Sequence, residues 1–439
     1  MFFESCSPIR RRVAASSVTM RYERMVPMLA FVHANLIDGT GRDPRPCSTV
    51  LIQGGSIIAA GADVDVPVGS VVVDLRGKTL LPGFIDAHLH LGGSDSLDDR
   101  MGNHGRHFTW DYSYNIARLM AWGVTAVRSG GDWTPEILEF RDEVEAGAVR
   151  APHIVAPGRF VQAYEGHPLS TVYMNDPAIM QNACVLIHEG DGADRIGASV
   201  RRAVSEGVDM VKVFCGDDDK LRYPDDTTVP SLTDEQLRLV VRFAHEAGKR
   251  VMCHIDDLCD MGRAVDAGVD TVEHVCNVCT DPDQEIGEEL LAKLVEHGVC
   301  VTPTIVATAE HEEHGFANGA PPVAPAARRA VSKMIQAGVR IGVGTDAGIP
   351  FVAYGESLHR EMRELVGCGM TPLQAVSACT GGNAKILQRD ALYGTVEAGK
   401  LADLVVLGSD PLDDIENTRD IALVMRAGRV VVDNGILSE

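Results

Sequence analysis

Aromatic residues are scarce in this chain, with Trp 3, Tyr 8 and Phe 11 among 439 residues. A large core must therefore come mainly from Val, Ile, Leu and Ala, and a hydrophobic content of 45% is enough to build one. Basic charge is also short: 40 Lys+Arg stand against 62 Asp+Glu, a formal net charge of −22. A surface of that sign repels phosphate backbones and anionic headgroups, which argues against nucleic acid and membrane surfaces as partners. No apolar run approaches the roughly 20 residues needed to span a bilayer. No Gly-x-Gly-x-x-Gly follows a strand, so the usual dinucleotide fingerprint is missing. The 11 cysteines are scattered. Cys276 and Cys279 form a CxxC, but no second pair exists to complete a four-ligand zinc site. That usage reads as reduced, buried thiols in a cytoplasmic protein.

The N-terminus carries Arg10-Arg11-Arg12 and then Val13-Ala14-Ala15, an opening that looks like an export signal. Arg21, Glu23 and Arg24 interrupt the apolar stretch that should follow. Residues 1–25 are therefore expected to be a disordered leader, with Met20 or Met25 as an alternative start.

Short β-branched segments follow at Leu29–Leu36, 49–54, 56–60 and Val71–Asp74, separated by glycine-containing turns. The C-terminus repeats the style at 403–407, Ile421–Arg426 and 429–432, with Gly428 at a hairpin position. Each end alone would expose an apolar face, so residues 26–80 and 390–439 are expected to pair into one composite β-sandwich.

Residues 81–389 alternate short strands with amphipathic helices. Strands are expected at 83–88, 126–128, 154–157, 210–214, 250–254, 271–274, 300–304 and 340–344. A helix over 232–247 has Leu237, Val240, Val241 and Ala244 at helical spacing and Thr233 as its cap. Further helices are expected at 326–337 and 357–367. Eight strands, each followed by a helix-sized interval, predict an α/β fold of the (β/α)8 TIM-barrel type.

In such a barrel, chemistry belongs at the C-terminal ends of the strands. Those ends here carry His88 and His90, Lys212, His254, His274 and Asp346. His88 and His90 alternate with Leu89, so extended backbone turns both imidazoles to one face. A lone histidine at a strand end is more often a hydrogen-bonding residue than a metal ligand. Lys212 lies between Val211 and Val213, where an unpaired ammonium would be costly. Either a carboxylate pairs with it, or the neutral amine takes up CO2 and becomes an anionic carbamate. Six suitable residue types at five strand ends outweigh the bland reading of each one.

These residues sit in LPGFIDAHLHL (81–91), VKVF (211–214), CHID (253–256), EHV (273–275) and GVGTDAG (342–348), and GTVEAGKLADLVVLGSDPL follows at 394–412. Together they resemble the amidohydrolase superfamily from about residue 29 onwards. Within it the text looks most like imidazolonepropionase-like proteins, Xaa-Pro and Xaa-Arg dipeptidases and ochratoxin-type amidases. The resemblance implies a barrel with a composite sandwich and a binuclear site. His88, His90 and Asp346 would hold the more buried ion and His254 and His274 the more exposed one. Lys212, carboxylated by CO2, would bridge them. Mononuclear relatives such as imidazolonepropionase lack that lysine, which argues against their activity here.

Two divalent ions, zinc by ligand type, would make hydroxide available near neutral pH. Asp346 would serve as general base and then acid, and the substrate would be a small-molecule amide: a dipeptide, an N-acyl amino acid or a related carboxamide. A cyclic amide, a carbamate or urea, a deamination, and a non-catalytic scaffold are the alternatives. His167, after the third strand, and Tyr223, in the loop after Lys212, are expected to contact substrate, His167 also acting on the carbonyl. Asp86 and Glu273, beside ligands in the chain, are read as supporting residues, and His359 as a solvated helix residue. The relatives also imply a homo-oligomer.

Overall fold

The computed structural model describes residues 27–96, 112–173, 175–216, 229–275, 283–315 and 322–437. The leader, Tyr223, Cys276 and Cys279 lie outside the described residues. Both chain ends contribute to one eight-stranded sheet. Its N-terminal strands are β1 (Leu29–Leu36), β2 (Arg45–Gln53), β3 (Ser56–Gly61), β4 (Val71–Asp74) and β5 (Thr79–Pro82).

The barrel strands come next in the chain: β6 (Phe84–Leu89), β7 (Val124–Ser129), β8 (His153–Val155), β9 (Phe160–Ala163) and β10 (Cys184–Ile187). They continue as β11 (Val211–Phe214), β12 (Val251–His254), β13 (Thr271–Glu273), β14 (Cys300–Thr302) and β15 (Arg340–Ile341). The C-terminal strands β16 (Leu404–Leu407), β17 (Ile421–Arg426) and β18 (Arg429–Asp433) return to the first sheet, in the order β18-β17-β16-β5-β1-β2-β3 with β4 beside β1. β5 pairs antiparallel with β16 over Thr79–Pro82, which joins the two chain ends. Phe31, Leu36, Val50, Leu80, Leu404, Val406 and Leu423 pack as one apolar cluster on this sheet.

The barrel is all parallel and runs in two hydrogen-bonded arcs, β6-β7-β8 and β9-β11-β12-β13-β14-β15. It closes where the chain after β15 meets β6: Ala87 N donates to Val343 O (2.9 Å) and Thr345 N to His88 O (3.0 Å). The third barrel strand differs from the expected single segment at 154–157. It is split into β8, which pairs with β7, and β9, which pairs with β11. Pro157 cannot donate to a ladder, and Gly158 has φ +63°, so the strand breaks there and resumes at Phe160. β10, also not foreseen, adds to the other edge of β9.

The helix Asp234–Glu246 begins on Thr233 as expected. Thr233 Oγ1 accepts from Gln236 N (3.2 Å), and the Gln236 side chain accepts from Thr233 N (3.1 Å). His359, in the helix Glu356–Gly367, is buried rather than solvated. Its Nδ1 lies 2.9 Å from Thr418 Oγ1 and its Nε2 3.0 Å from Trp122 O, so it ties the barrel to the C-terminal segment.

Burial pushes His359 down to about 4, partly offset by the bond to Trp122. The unfolded chain, with an ordinary histidine near 6.5, then binds the proton more readily between those values. The stability from His359 is thus fully present above about 6.5 and lost as pH falls toward 4. About 2 kcal/mol should disappear between pH 7 and pH 5 on this account. His359→Gln should flatten that loss in denaturant titrations at the two pH values. An unchanged pH dependence in the variant would rule His359 out as its source.

Candidate metal centre

The candidate side chains stand at the C-terminal mouth of the barrel, and their backbone explains why they meet. Period-two alternation would put His90 and His88 on one face of β6, with Leu89 on the other. The β6–β7 register shifts between Asp86 and Leu89, so the end of β6 is irregular. Glu273 is the last residue of β13, and His274 just beyond it has φ +74°. That left-handed turn brings two consecutive residues into one interior, which a regular strand could not do. Asp346 (φ +62°) and Thr304 (φ +48°) also hold left-handed backbone. Each such residue costs about 1–3 kcal/mol, a strain characteristic of functional sites.

His88, His90 and Asp346 can each point one ligand atom into a space where these atoms lie within 4.8 Å of one another. Asp346 Oδ1 lies 3.4 Å from His88 Nε2 and 3.3 Å from His90 Nε2. His274 packs against His88 and His254, with ring centroids 4.9 and 4.6 Å apart. His167 stacks on His254 at 4.8 Å. Lys212, on β11, is fully buried with Nζ 4.9 Å from the Phe214 ring centroid. The four histidines, Lys212 and Asp346 therefore share one interior, and His167 closes one side of it.

In each histidine a neighbour takes up one ring nitrogen. His88 Nδ1 is 2.8 Å from Glu273 Oε2, His90 Nδ1 is 3.0 Å from Gly131 O, and His274 Nδ1 is 2.6 Å from Thr304 Oγ1. His254 is held the other way round, with Nε2 3.0 Å from Asp256 Oδ1. Partners of this kind set the tautomer and leave the second nitrogen for a ligand role. By that logic His88, His90 and His274 offer Nε2 and His254 offers Nδ1. His167 Nδ1 lies 2.7 Å from Thr171 Oγ1, which holds that ring in place.

The electrostatics agree with a ligand set. Burial pushes His274 down to about 3 and His254 well below its ordinary value, so both imidazoles are neutral. Burial alone would raise Asp346, but His88, His90 and His274 outweigh it and hold the carboxyl well below the usual range. Burial lowers Lys212 to about 8, against the opposing pull of Glu273 and Asp346. Among the described residues, Lys212 Nζ, His88 Nε2 and Asp346 Oδ1 are buried without a hydrogen-bond partner. Leaving polar atoms unsatisfied in this way is costly, and a cation among them would reduce that cost. A mixed N/O donor set fits zinc and other divalent ions.

The surrounding residues hold this arrangement. Asp86 accepts from His88 N (3.1 Å), Thr345 N (3.2 Å) and Thr345 Oγ1 (2.7 Å), tying β6 to the chain that carries Asp346. Asp132 accepts from Leu91 N, Gly92 N and Ser129 Oγ and fixes the loop after His90. Arg128, near the end of β7, bonds Glu273 behind His88. Sequence reading passed over Arg128, although the argument used for Lys212, a charged residue in an apolar strand, applies to it equally. Asp256 lay within the CHID text and was likewise not assigned.

Gly130 lies against His88 and His90. A Cβ there would sit 2.9 Å from both His88 Nε2 and His90 Cε1, so Gly130→Ala must push the imidazoles apart. The variant should fold and bind metal at least about tenfold more weakly, as when a ligand's orientation is disturbed. Chelator competition checks this, and unaltered affinity would show that the space has another use.

Over residues 79–431 the sequence matches the amidohydrolase family. Ochratoxinase of Aspergillus niger is 23% identical, across 97% of this chain and 92% of its own. Imidazolonepropionase of Symbiobacterium thermophilum is 24% identical, across 89% of this chain and 91% of its own. A crystal structure of a Xaa-Pro dipeptidase with methionine bound in its active site superposes with a TM-score of 0.76. It is 25% identical and covers 92% of this chain and 99% of its own.

Proposed function

The chain belongs to the amidohydrolase family and is a hydrolase of carbon–nitrogen bonds, and from that premise we propose that it holds two divalent ions, zinc by ligand type, and cleaves an amide in a dipeptide, N-acyl amino acid or related carboxamide. His88, His90 and Asp346 would hold one ion and His254 and His274 the other, with Lys212, once carboxylated, as a further ligand. The single observation carrying this reading is Lys212 Nζ, buried in the same interior as these residues and without a hydrogen-bond partner among the described residues. A lysine kept for packing would be matched by a carboxylate at hydrogen-bond distance. The separate hydrogen bonds to each histidine add weight, because a purely structural cluster has no need to fix four tautomers.

When bound, such ions lower the pKa of water toward neutrality and polarise a scissile carbonyl. The chain's own residues do the rest. Asp346 accepts the proton of the attacking water at its carboxylate and passes it to the leaving nitrogen. Its depressed pKa keeps the carboxylate ionised, and so able to accept a proton, near neutral pH. His167, braced by Thr171, is assigned to the substrate carbonyl. The dipeptidase with bound methionine favours an amino-acid product over a ring-opened one. Imidazolonepropionase is the weaker analogy, since the single-ion relatives lack a lysine at this strand end.

A panel of dipeptides, N-acyl amino acids, ring amides, carbamates and ureas, assayed with zinc and bicarbonate, tests the proposal. Turnover of at least one dipeptide or N-acyl amino acid is the expected result. Turnover confined to ring amides, carbamates or ureas would overturn the substrate class.

A further inference from the structure

Arg128 heads the fully buried side chains by size, and its guanidinium reaches from β7 to three other barrel strands. Nε donates to Ala87 O on β6 (2.5 Å) and Nη1 to Thr271 Oγ1 on β13 (3.1 Å). Nη2 donates to both Glu273 carboxylate oxygens (2.8 Å each) and to Thr302 Oγ1 on β14 (3.3 Å). Glu273 accepts in addition from Thr271 Oγ1 (2.6 Å) and from His88 Nδ1 (2.8 Å). Every residue in this relay is buried, so no bulk water stands in for a missing partner.

An ionised carboxylate only accepts hydrogen bonds. At His88 Nδ1 it keeps the ring proton on that nitrogen and leaves Nε2 with its lone pair. Glu273 can do this in a dry interior only while a cation balances its charge. Arg128 supplies that cation, and its fork fixes where the carboxylate points. We propose that Arg128, acting through Glu273, is a positioning residue that holds His88 as the Nδ1–H tautomer with Nε2 facing the centre. The affinity of the ion held by His88, His90 and Asp346 then depends on a side chain that touches neither ion nor substrate.

The simpler reading makes Arg128 a staple between strands and nothing more. The two differ in what its loss removes. A lost staple lowers thermal stability and leaves metal affinity alone. A lost positioning residue weakens one ion of two. This inference rests on the two-ion reading above, so the test measures both.

Full-length wild type, Arg128→Lys, Arg128→Met and Glu273→Gln are stripped of metal and titrated with zinc against a chromophoric chelator, and the metal-free proteins are melted in parallel. The amide introduced by Glu273→Gln keeps the size of the carboxylate but offers one carbonyl where Arg128, Thr271 and His88 all donate. The expected result is two tight equivalents in the wild type. Glu273→Gln and Arg128→Met should keep one and bind the other about 10- to 100-fold more weakly. Arg128→Lys, which retains the charge but not the fork, should fall between. If Arg128→Met does not fold, the near-isosteric Glu273→Gln decides. Variants that melt earlier yet bind both equivalents with wild-type affinity would overturn the proposal. A wild type that binds fewer than one equivalent would instead remove the two-ion reading, and this inference with it.

Discussion

Lys212→Ala is expected to lose metal and activity together while keeping its fold. The side chain is fully buried and its Nζ has no hydrogen-bond partner among the described residues, so a shorter apolar residue removes an unsatisfied group rather than a stabilising bond. Thermal stability of the metal-free variant should therefore stay close to that of metal-free wild type, or rise. The metal-loaded proteins should diverge sharply, because the wild type alone gains stability from bound ions. Loss of partners outside the ligand set already costs about 10- to 100-fold in activity. Loss of a shared ligand should exceed about 100-fold in kcat/KM. The lowered pKa of Lys212, about 8, bears on how the ligand forms. CO2 reacts with the neutral amine, and burial makes that form accessible near neutral pH. Activity of the wild type should accordingly rise when bicarbonate is restored to CO2-depleted protein. Full retention of metal and turnover in Lys212→Ala would end the carbamate account.

Asp346→Asn tests the part of Asp346 in moving the proton, with metal content measured alongside. Asn keeps the size of Asp and one carbonyl oxygen but cannot take up a proton at neutral pH. General base and acid catalysis typically contributes about 10²- to 10⁴-fold, so kcat should drop by that much. The negative charge that His88, His90 and His274 stabilise is also gone, so the affinity of the ion held with His88 and His90 should weaken. The ion held by His254 and His274 should be affected less. A variant with wild-type kcat would require another group to carry the proton, and His167 is the one to replace next.

Much of this centre was legible because barrel chemistry collects at strand ends, where few positions have to be read. His88, His90, Lys212, His254, His274 and Asp346 all stand out there, and β1, β4 and β17 have the expected bounds. What escaped depended on contacts distant in sequence or on irregular backbone. Pro157 and Gly158 split the third strand, and β10 pairs with the resumed segment β9 beyond the eight strands expected. Alternation could not reveal that His274 turns back through a left-handed conformation to join Glu273. Arg128 finds Glu273 145 residues away, and His359 finds Thr418 59 residues away, so neither partner was visible locally. Tyr223, expected at the substrate, lies outside the described residues. The charge of −22 described the surface and said nothing of the site, where bound cations would reverse the local sign.

Among the described residues no helix is long and apolar enough to cross a membrane. The central claim concerns ions, and elemental analysis of the purified full-length chain, grown and dialysed with zinc and bicarbonate, tests it most directly. The account predicts about two equivalents of divalent metal per chain, falling below one in Lys212→Ala. Fewer than one equivalent in the wild type under these conditions would contradict it.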